Sequence, residues 1–180
     1  MKNNGSGFTL LELIIVIGIL MIFAVLSLSY YNNYTDGRKL ESEAKNFINA
    51  LTLASKKAQT AEAVSIAQCT NSFVGYQVVI DTQIPFSYSI RRCCGNLYCN
   101  SSNTRFKKYT STSNISLLTD TVNNIIFQKL SSGIVVNQGA ITAPVTITLK
   151  NSSLSNNKNC VDITIVKTGA SRHGERYDCL

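Results

Sequence analysis

A run of apolar residues from Phe8 to Leu28 is the feature that most limits how this chain can fold. It contains one charged residue, Glu12, whereas the rest of the chain is rich in Asn, Ser and Thr. These 21 residues would form a helix of about 31 Å, which matches the hydrocarbon thickness of a bilayer. The sequence therefore predicts one membrane-spanning helix followed by a soluble domain.

A secretory signal peptide is the first alternative, because Lys2 precedes the apolar run near the N-terminus. Such signals have an apolar core of about 7 to 15 residues and end at a small-residue cleavage site. Here the run is longer, and Tyr30, Tyr31 and Tyr34 follow it without an Ala-x-Ala pattern. Because tyrosine favours the membrane interface, we interpret the run as a retained anchor.

Glu12 is unusual within this run. An ionised carboxylate on a lipid-facing helix costs about 2.5–3.5 kcal/mol on insertion scales and rarely lacks a partner. The position therefore predicts a positively charged partner. The alternative is that Glu12, close to one end of the span, extends to the headgroups without a partner.

The residues Gly7-Phe8-Thr9-Leu10-Leu11-Glu12-Leu13-Ile14 resemble the class III leader junction of type IV pilins and type II secretion pseudopilins. The resemblance implies that a prepilin peptidase cleaves between Gly7 and Phe8 and that Phe8 becomes N-methylated. It also implies that Glu12 neutralises the N-terminal amine of a neighbouring pilin or pseudopilin subunit during assembly. The implied location is the bacterial inner membrane, crossed once, with the soluble domain in the periplasm until the subunit joins a pilus or pseudopilus.

Beyond the tyrosines, the apolar residues recur at helical spacing. They are Leu40, Ala44, Phe47, Ile48, Leu51, Ala54, Ala58 and Ala61. The sequence predicts one long helix, or two nearly collinear ones, from Phe8 to Glu62, with a weak point or kink at Asp36-Gly37. The second half of this helix must pack against an apolar surface.

That surface is predicted to be a β domain. Alternating or β-branched runs predict strands at 64–68, 73–80, 86–92, 125–130, 145–150 and 161–166, with weaker ones at 105–109 and 134–137. Asp81 to Pro85 predicts the first hairpin loop, and Thr168-Gly169 the last turn. Helix first and strands afterwards indicate an α+β, pilin-like fold with antiparallel pairing. We therefore divide the chain into a leader (1–7), a transmembrane and assembly helix (8–29), its amphipathic continuation (30–62) and a disulfide-containing β domain (63–180).

The soluble part resembles the FimT/GspH type of minor pilin and pseudopilin. The resemblance rests on Leu51-Thr52-Leu53-Ala54-Ser55-Lys56-Lys57-Ala58, on an early strand with Cys69, and on a final strand-Gly-strand at 163–172. Ser55 stands where that family commonly has Arg, and residues 93–109 do not align with it. A major pilin with a C-terminal disulfide loop is the alternative.

Six cysteines in an exported domain predict disulfide bonds. They are Cys69, Cys93, Cys94, Cys99, Cys160 and Cys179. A hairpin that turns at Thr168 to Ala170 places Cys160 opposite Cys179, so these two are predicted to be joined. Cys69 would then pair with one of the three cysteines at 93, 94 and 99, and the other two with each other. A zinc site built from these four thiolates is the alternative, disfavoured because no CxxC pair occurs.

Enzyme activity is not predicted, and neither is a cofactor or a metal. His173, the single histidine, lies beside a predicted turn, and no G-x-S-x-G or Walker A motif occurs. The carboxylates after Glu62 are scattered singly. The sequence therefore provides no paired groups for acid–base or nucleophilic chemistry.

Basic residues outnumber acidic ones after Glu62, by 11 to 5. One cluster contains Arg91, Arg92, Arg105, Lys107 and Lys108 among aromatic residues, and a second contains Lys167, Arg172 and Arg176. Basic side chains can contact phosphates, and aromatic rings can stack on bases. The two clusters therefore indicate a surface that could bind double-stranded DNA. The FimT resemblance also implies DNA uptake in natural transformation, through basic residues near the C-terminal hairpin. Two hypotheses follow, a structural filament subunit and a filament-borne DNA receptor.

Overall fold

The structure is a computed structural model that describes residues 9–60, 73–95, 99, 105–111, 114–118, 122–131, 133–137, 139–141, 143–154 and 158–179. Helix α1 runs without interruption over Leu10–Gln59, through the predicted weak point at Asp36-Gly37. Thr9 caps it, because its hydroxyl accepts a hydrogen bond from the Glu12 amide at 3.2 Å. The prediction of one long helix is confirmed, with its start two residues later than expected.

Ten strands follow in the described residues. They are β1 (Phe73–Asp81), β2 (Ser87–Cys94), β3 (Arg105–Thr110), β4 (Ile115–Leu117), β5 (Asn124–Gln128), β6 (Ile134–Val136), β7 (Gly139–Ala140), β8 (Val145–Asn151), β9 (Cys160–Ile165) and β10 (Ser171–Tyr177). One sheet has the order β3-β2-β1-β5-β6-β7 and the other the order β10-β9-β8-β4. Every pairing is antiparallel, which confirms the α+β prediction.

The strand predictions differ from the described structure at the run 125–130 and at two short strands that were not predicted. The run at 125–130 ends as a strand at Gln128, because Leu130 has φ 55° and lies in a 3₁₀ turn at Lys129–Ser131. Strands β4 and β7 are too short to show an alternation of apolar and polar residues, so they could not be predicted from the sequence. The strand predicted at 64–68 lies outside the described residues.

The second half of α1 packs against both sheets. Its buried side chains are Leu40, Ala44, Phe47, Ala50, Leu51, Ala54 and Ala58. They join one core with the inner faces of the first sheet, for example Val78, and of the second, for example Ile163. Phe47 lies edge-on to Phe86 and Tyr88, with ring centroids 5.6 and 4.9 Å away. Aromatic pairs of this geometry add stability beyond their buried area.

Both hairpins form where the sequence places them. β1 pairs with β2 across the loop that follows Asp81. β9 pairs with β10 across a turn in which Gly169 has φ 91°, a conformation that favours glycine. The turn therefore fixes how the last strand returns along its neighbour.

Disulfide bonds join Cys93 to Cys99 and Cys160 to Cys179, with Cα–Cα distances of 4.9 and 5.7 Å. The register of the last hairpin is not the one expected, because Cys160 lies opposite Tyr177 and a bulge separates His173 from Arg176. Cys179 lies just beyond the strand and still reaches Cys160. Cys94 is disulfide-bonded as well, and Cys69 lies outside the described residues. The Cys93–Cys99 bond removes two of the four thiolates that the zinc alternative requires.

Candidate assembly helix and basic surfaces

The first half of α1 has no apolar partner in the described part of the chain. Its large apolar side chains between Leu10 and Leu26 are 44–77% exposed. A continuous apolar surface of this length is stable only in lipid or against other apolar helices. One helix in the described residues is thus long and apolar enough to cross a membrane.

Glu12 is the exception on this surface. Its side chain is exposed in the first turn of α1, where a negative charge interacts favourably with the helix dipole. Among the described residues no cation forms an ion pair with it. Gly7 and Phe8, the predicted cleavage residues, lie outside the described part of the chain. Glu12 therefore keeps its capacity to pair with a cation from outside this subunit.

Three tyrosines mark the end of the apolar half. Tyr30, Tyr31 and Tyr34 are exposed, and the Arg38 guanidinium lies 5.8 Å from the centre of the Tyr34 ring. Tyrosine rings next to a cation suit the membrane–water interface. Less than two turns of helix beyond them, Leu40 is fully buried in the domain core.

The β domain holds α1 close to this transition. Arg176 on β10 forms an ion pair with Glu41, with Nε 2.9 Å from Oε1. Its guanidinium also lies where a side chain on Gly37 would be, because a Cβ there would be 2.0 Å from Arg176 Nη1. Gly37 is therefore not a kink: it makes room for Arg176. We call Gly37, Glu41 and Arg176 the helix clasp.

A second contact fixes the same turn of α1. The buried side-chain amide of Asn151, at the end of β8, donates to the carbonyl oxygen of Asp36 at 3.0 Å. Arg38 adds a 3.3 Å ion pair to the other oxygen of Glu41. Contacts from two strands of the second sheet thus hold the helix at the point where it leaves the domain.

The structure separates the three basic residues of the C-terminal cluster. Lys167 is exposed in the hairpin turn. Arg172 lies opposite Thr164, whereas Arg176 lies opposite the core residue Val161. Because directly paired residues share a face of a sheet, Arg172 and Arg176 lie on opposite faces. This separation could not be predicted, since the bulge that shifts the register is not visible in the residue pattern.

The second basic cluster is also divided between two faces. Arg91 and Lys108 lie on the outer face of the first sheet. Lys108 pairs with Ser89, and Arg91 lies two residues from Ser89 on the same face, whereas Ile90 between them faces the core. Arg92 lies opposite the core residue Tyr76. Lys107 lies opposite Ile90, with its ammonium 4.7 Å from the centre of the Tyr109 ring. Arg105 is described only by its backbone, which pairs with Arg91.

The structure nevertheless collects cations at the end of the domain farthest from the apolar half. The last turn of α1 carries Lys56 and Lys57. The 3₁₀ turn that begins at Lys129 contacts α1, and Lys167 lines a polar pocket together with Ser55 and Gln59. We call Lys56, Lys129 and Lys167, all exposed, the distal cations.

The carboxylates of the described domain lie towards the other end. They are Asp36, Glu41 and Glu43 near the start of the packed half of α1, Asp81 at the end of β1, and Asp162, Glu175 and Asp178 on or beside β9 and β10. β1 begins beside Gln128, which lines the same pocket as Lys167, and runs away from it to end at Asp81. Among the described residues, carboxylates are consequently absent from the end of the domain where the distal cations lie.

Burial perturbs some titratable groups of the described residues. Burial raises the pKa of Glu43, and a hydrogen bond from Asn46 opposes this shift. Burial, followed by the charge on Glu43, raises the pKa of Tyr88. His173 is exposed, with Nδ1 3.0 Å from the Gly174 carbonyl oxygen. No group of three His, Cys, Asp or Glu side chains in the described ranges is placed to bind a metal.

Comparison with known families supports the interpretation of the N-terminus. Residues 2–28 match the family model of the prokaryotic N-terminal methylation motif. No curated protein and no solved structure matches the chain. The motif supports a type IV pilin-like protein with a structural role, and together with the apolar helix it is consistent with membrane anchoring.

Proposed function

We propose that this protein is a minor pilin or pseudopilin subunit of a type IV pilus or a type II secretion filament. The observation that carries the proposal is the exposed apolar half of α1 with its single unpaired carboxylate. A subunit that leaves the bilayer must bury this surface against equivalent helices, since the described domain covers none of it.

In the proposed assembly, a prepilin peptidase of the inner membrane cleaves between Gly7 and Phe8, and Phe8 is then N-methylated. The new N-terminal amine of one subunit approaches Glu12 of its neighbour. A buried carboxylate is tolerated when a cation lies beside it, and removing one partner leaves an unpaired buried charge. Mutual pairing would thus select the register between adjacent helices.

The mature N-terminus can be tested directly. Intact-mass analysis of membrane-extracted protein should show loss of residues 1–7 and the addition of one methyl group. A chain that begins at Met1 or after Ser29, from cells with an active prepilin peptidase, would contradict the proposal.

The role of Glu12 can be tested with Glu12→Gln, which keeps the side-chain size and removes the charge. We expect membrane insertion to persist and incorporation into filaments to fall by about tenfold or more, because the amine loses its partner. Glu175→Gln, an exposed carboxylate on β10, is the matched control and should incorporate normally. Normal incorporation of Glu12→Gln would mean that the carboxylate reaches the headgroups unpaired.

A second function, binding of double-stranded DNA during uptake, is favoured by the distal cations. They lie at the end of the domain that points away from the membrane-anchored half, with the described carboxylates towards the other end. Arg172 lies on the outer face of the second sheet and would extend this surface. Arg176 is held by Glu41 and is therefore not part of the proposed DNA surface.

Gel shifts with the full chain in detergent micelles can test this function. The variant Lys129→Gln/Lys167→Gln should flatten the slope of log affinity against log salt by about 0.9 for each phosphate contact that it removes. Lys150→Gln/Lys158→Gln, with both positions near the opposite end of β8 and β9, is the control with equal charge. Equal effects of the two double variants would show that DNA affinity depends only on the net charge of the protein. Absence of binding at low salt would exclude the DNA-receptor function.

A further inference from the structure

A cleft crosses the outer face of the first sheet, on the side opposite the core. Its volume is about 290 Å³, and it is lined by Val79, Ile80, Asp81, Ser87, Tyr88, Ser89, Arg91 and Lys108. Ile80 and Tyr88 belong to the core, whereas the other six share the opposite face, because they alternate along β1, β2 and β3 with the core residues. Neither the filament-subunit role nor the distal cations involve this cleft.

The cations of the cleft are available to a ligand. Arg91 Nε lies 3.4 Å from Ser89 Oγ, and within the described ranges neither Arg91 nor Lys108 has any other polar side-chain partner. Lys108 lies directly opposite Ser89 across β2 and β3. Two cations and a hydroxyl at one level of the sheet form a site for a single acid group, which Arg can bind through two hydrogen bonds.

The other end of the cleft has a different chemistry. Asp81 lies opposite Ser87, two residues along β2 from Ser89, beside which the two cations meet, and this corresponds to about 7 Å. One oxygen of Asp81 accepts a hydrogen bond from the Gln83 amide at 3.2 Å. The carboxylate keeps further acceptor sites for hydroxyl groups, and the hydroxyl of Ser87 lies beside it. Val79 provides an apolar wall between the two ends.

We propose that this cleft binds a small sugar acid, with the acid group between Arg91 and Lys108 and the hydroxyl groups at Ser87, Ser89 and Asp81. A polyanion fits less well, because a chain of phosphates that continued along the cleft would meet the negative charge of Asp81. The Tyr88 ring, whose residue borders the cleft, packs against Phe47 in the core and is not available for base stacking. The cleft thus gives the subunit a small-ligand site that is independent of DNA binding.

The test compares two probes with the same ring, methyl glucuronide and methyl glucoside, on the full chain in micelles of a sugar-free detergent. Titration followed by ligand-observed NMR should show that the glucuronide binds about tenfold more tightly, because it alone carries a charge for Arg91 and Lys108. Glucose 6-phosphate, as a third probe, shows whether a sugar phosphate uses the same cations.

Variants assign the site. Arg91→Gln should weaken glucuronide binding by about tenfold and leave glucoside binding unchanged, and Lys108→Gln should act in the same direction. Asp81→Asn should weaken both probes. Lys150→Gln, a basic residue of the other sheet, is the control and should change neither. Equal affinity for the two ring probes, or no response to Arg91→Gln, would overturn the proposal, as would displacement of the glucuronide by a DNA duplex.

Discussion

The two halves of α1 belong to one continuous helix and have opposite environments. Between Leu10 and Leu26 every large apolar side chain is at least 44% exposed, whereas Leu40, Phe47 and Leu51 are completely buried. The first half is apolar all round and the second is apolar along one stripe. This difference shows that the stability of the described domain depends on the second half, while the first half is left for partners outside the subunit.

The largest effect should come from the core. Phe47→Ala removes a ring that contacts Phe86 and Tyr88 and should lower the free energy of unfolding of the domain by about 3–5 kcal/mol. Denaturant unfolding of the full chain in micelles, followed by near-ultraviolet circular dichroism, measures this change.

Phe23→Ala is the matched variant in the other half of the same helix. Because Phe23 is exposed to the surroundings, the domain should unfold with unchanged free energy. A similar loss in both variants would refute the independence of the two halves.

The Cys160–Cys179 disulfide should have the next largest effect. It closes a loop of about twenty residues, and its removal by the double change to Ala should lower domain stability by about 3 kcal/mol. The Cys93–Cys99 bond, which closes a loop of only six residues, should contribute less on the same entropic grounds. Non-reducing peptide mapping checks both bonds. Because Cys93 is joined to Cys99, we predict that Cys69 forms a disulfide bond with Cys94.

The helix clasp sharpens the comparison because each half of α1 contains one glycine, Gly18 in the first half and Gly37 in the clasp. Glycine to alanine in a helix ordinarily stabilises by about 1 kcal/mol. Gly37→Ala should gain almost none of this, because the new Cβ displaces Arg176 from Glu41. In an Arg176→Ala background the same change should stabilise the domain by about 1 kcal/mol.

Gly18→Ala is the control for the unpacked half, since nothing lies within 4 Å of a Cβ at that position. It should leave the unfolding of the domain unchanged. If Gly37→Ala stabilised the wild-type chain by the full amount, the clasp would not constrain the helix.

The smallest effect concerns Glu43, whose pKa is raised chiefly by burial. A carboxyl whose pKa is higher in the folded than in the unfolded state lowers stability as pH rises through the folded pKa. Glu43→Gln should therefore gain stability relative to the wild type as pH rises from about 4 to 7, by less than about 1 kcal/mol because the group is partly solvated. A difference that does not change with pH would mean that the charge is fully hydrated.

The sequence was most informative where neighbours along the chain determine the structure. The helical spacing from Leu40 to Ala58 predicts the buried face, and Thr168-Gly169 predicts the last turn. The clasp could not be predicted, because Glu41 and Arg176 are far apart in the chain and meet only after β10 has paired. The same holds for the cleft, since its basic residues are adjacent to others in the sequence that lie on the opposite face of the sheet.

The position of Arg176 also sets an order of events during biogenesis. Its strand follows every other described strand along the chain, and the disulfide that closes the hairpin uses Cys179. If the N-terminal half is anchored in the membrane first, the contacts that fix where α1 leaves the domain form only after β10 has been translocated. The helix exit is therefore the part of the described domain that becomes rigid last.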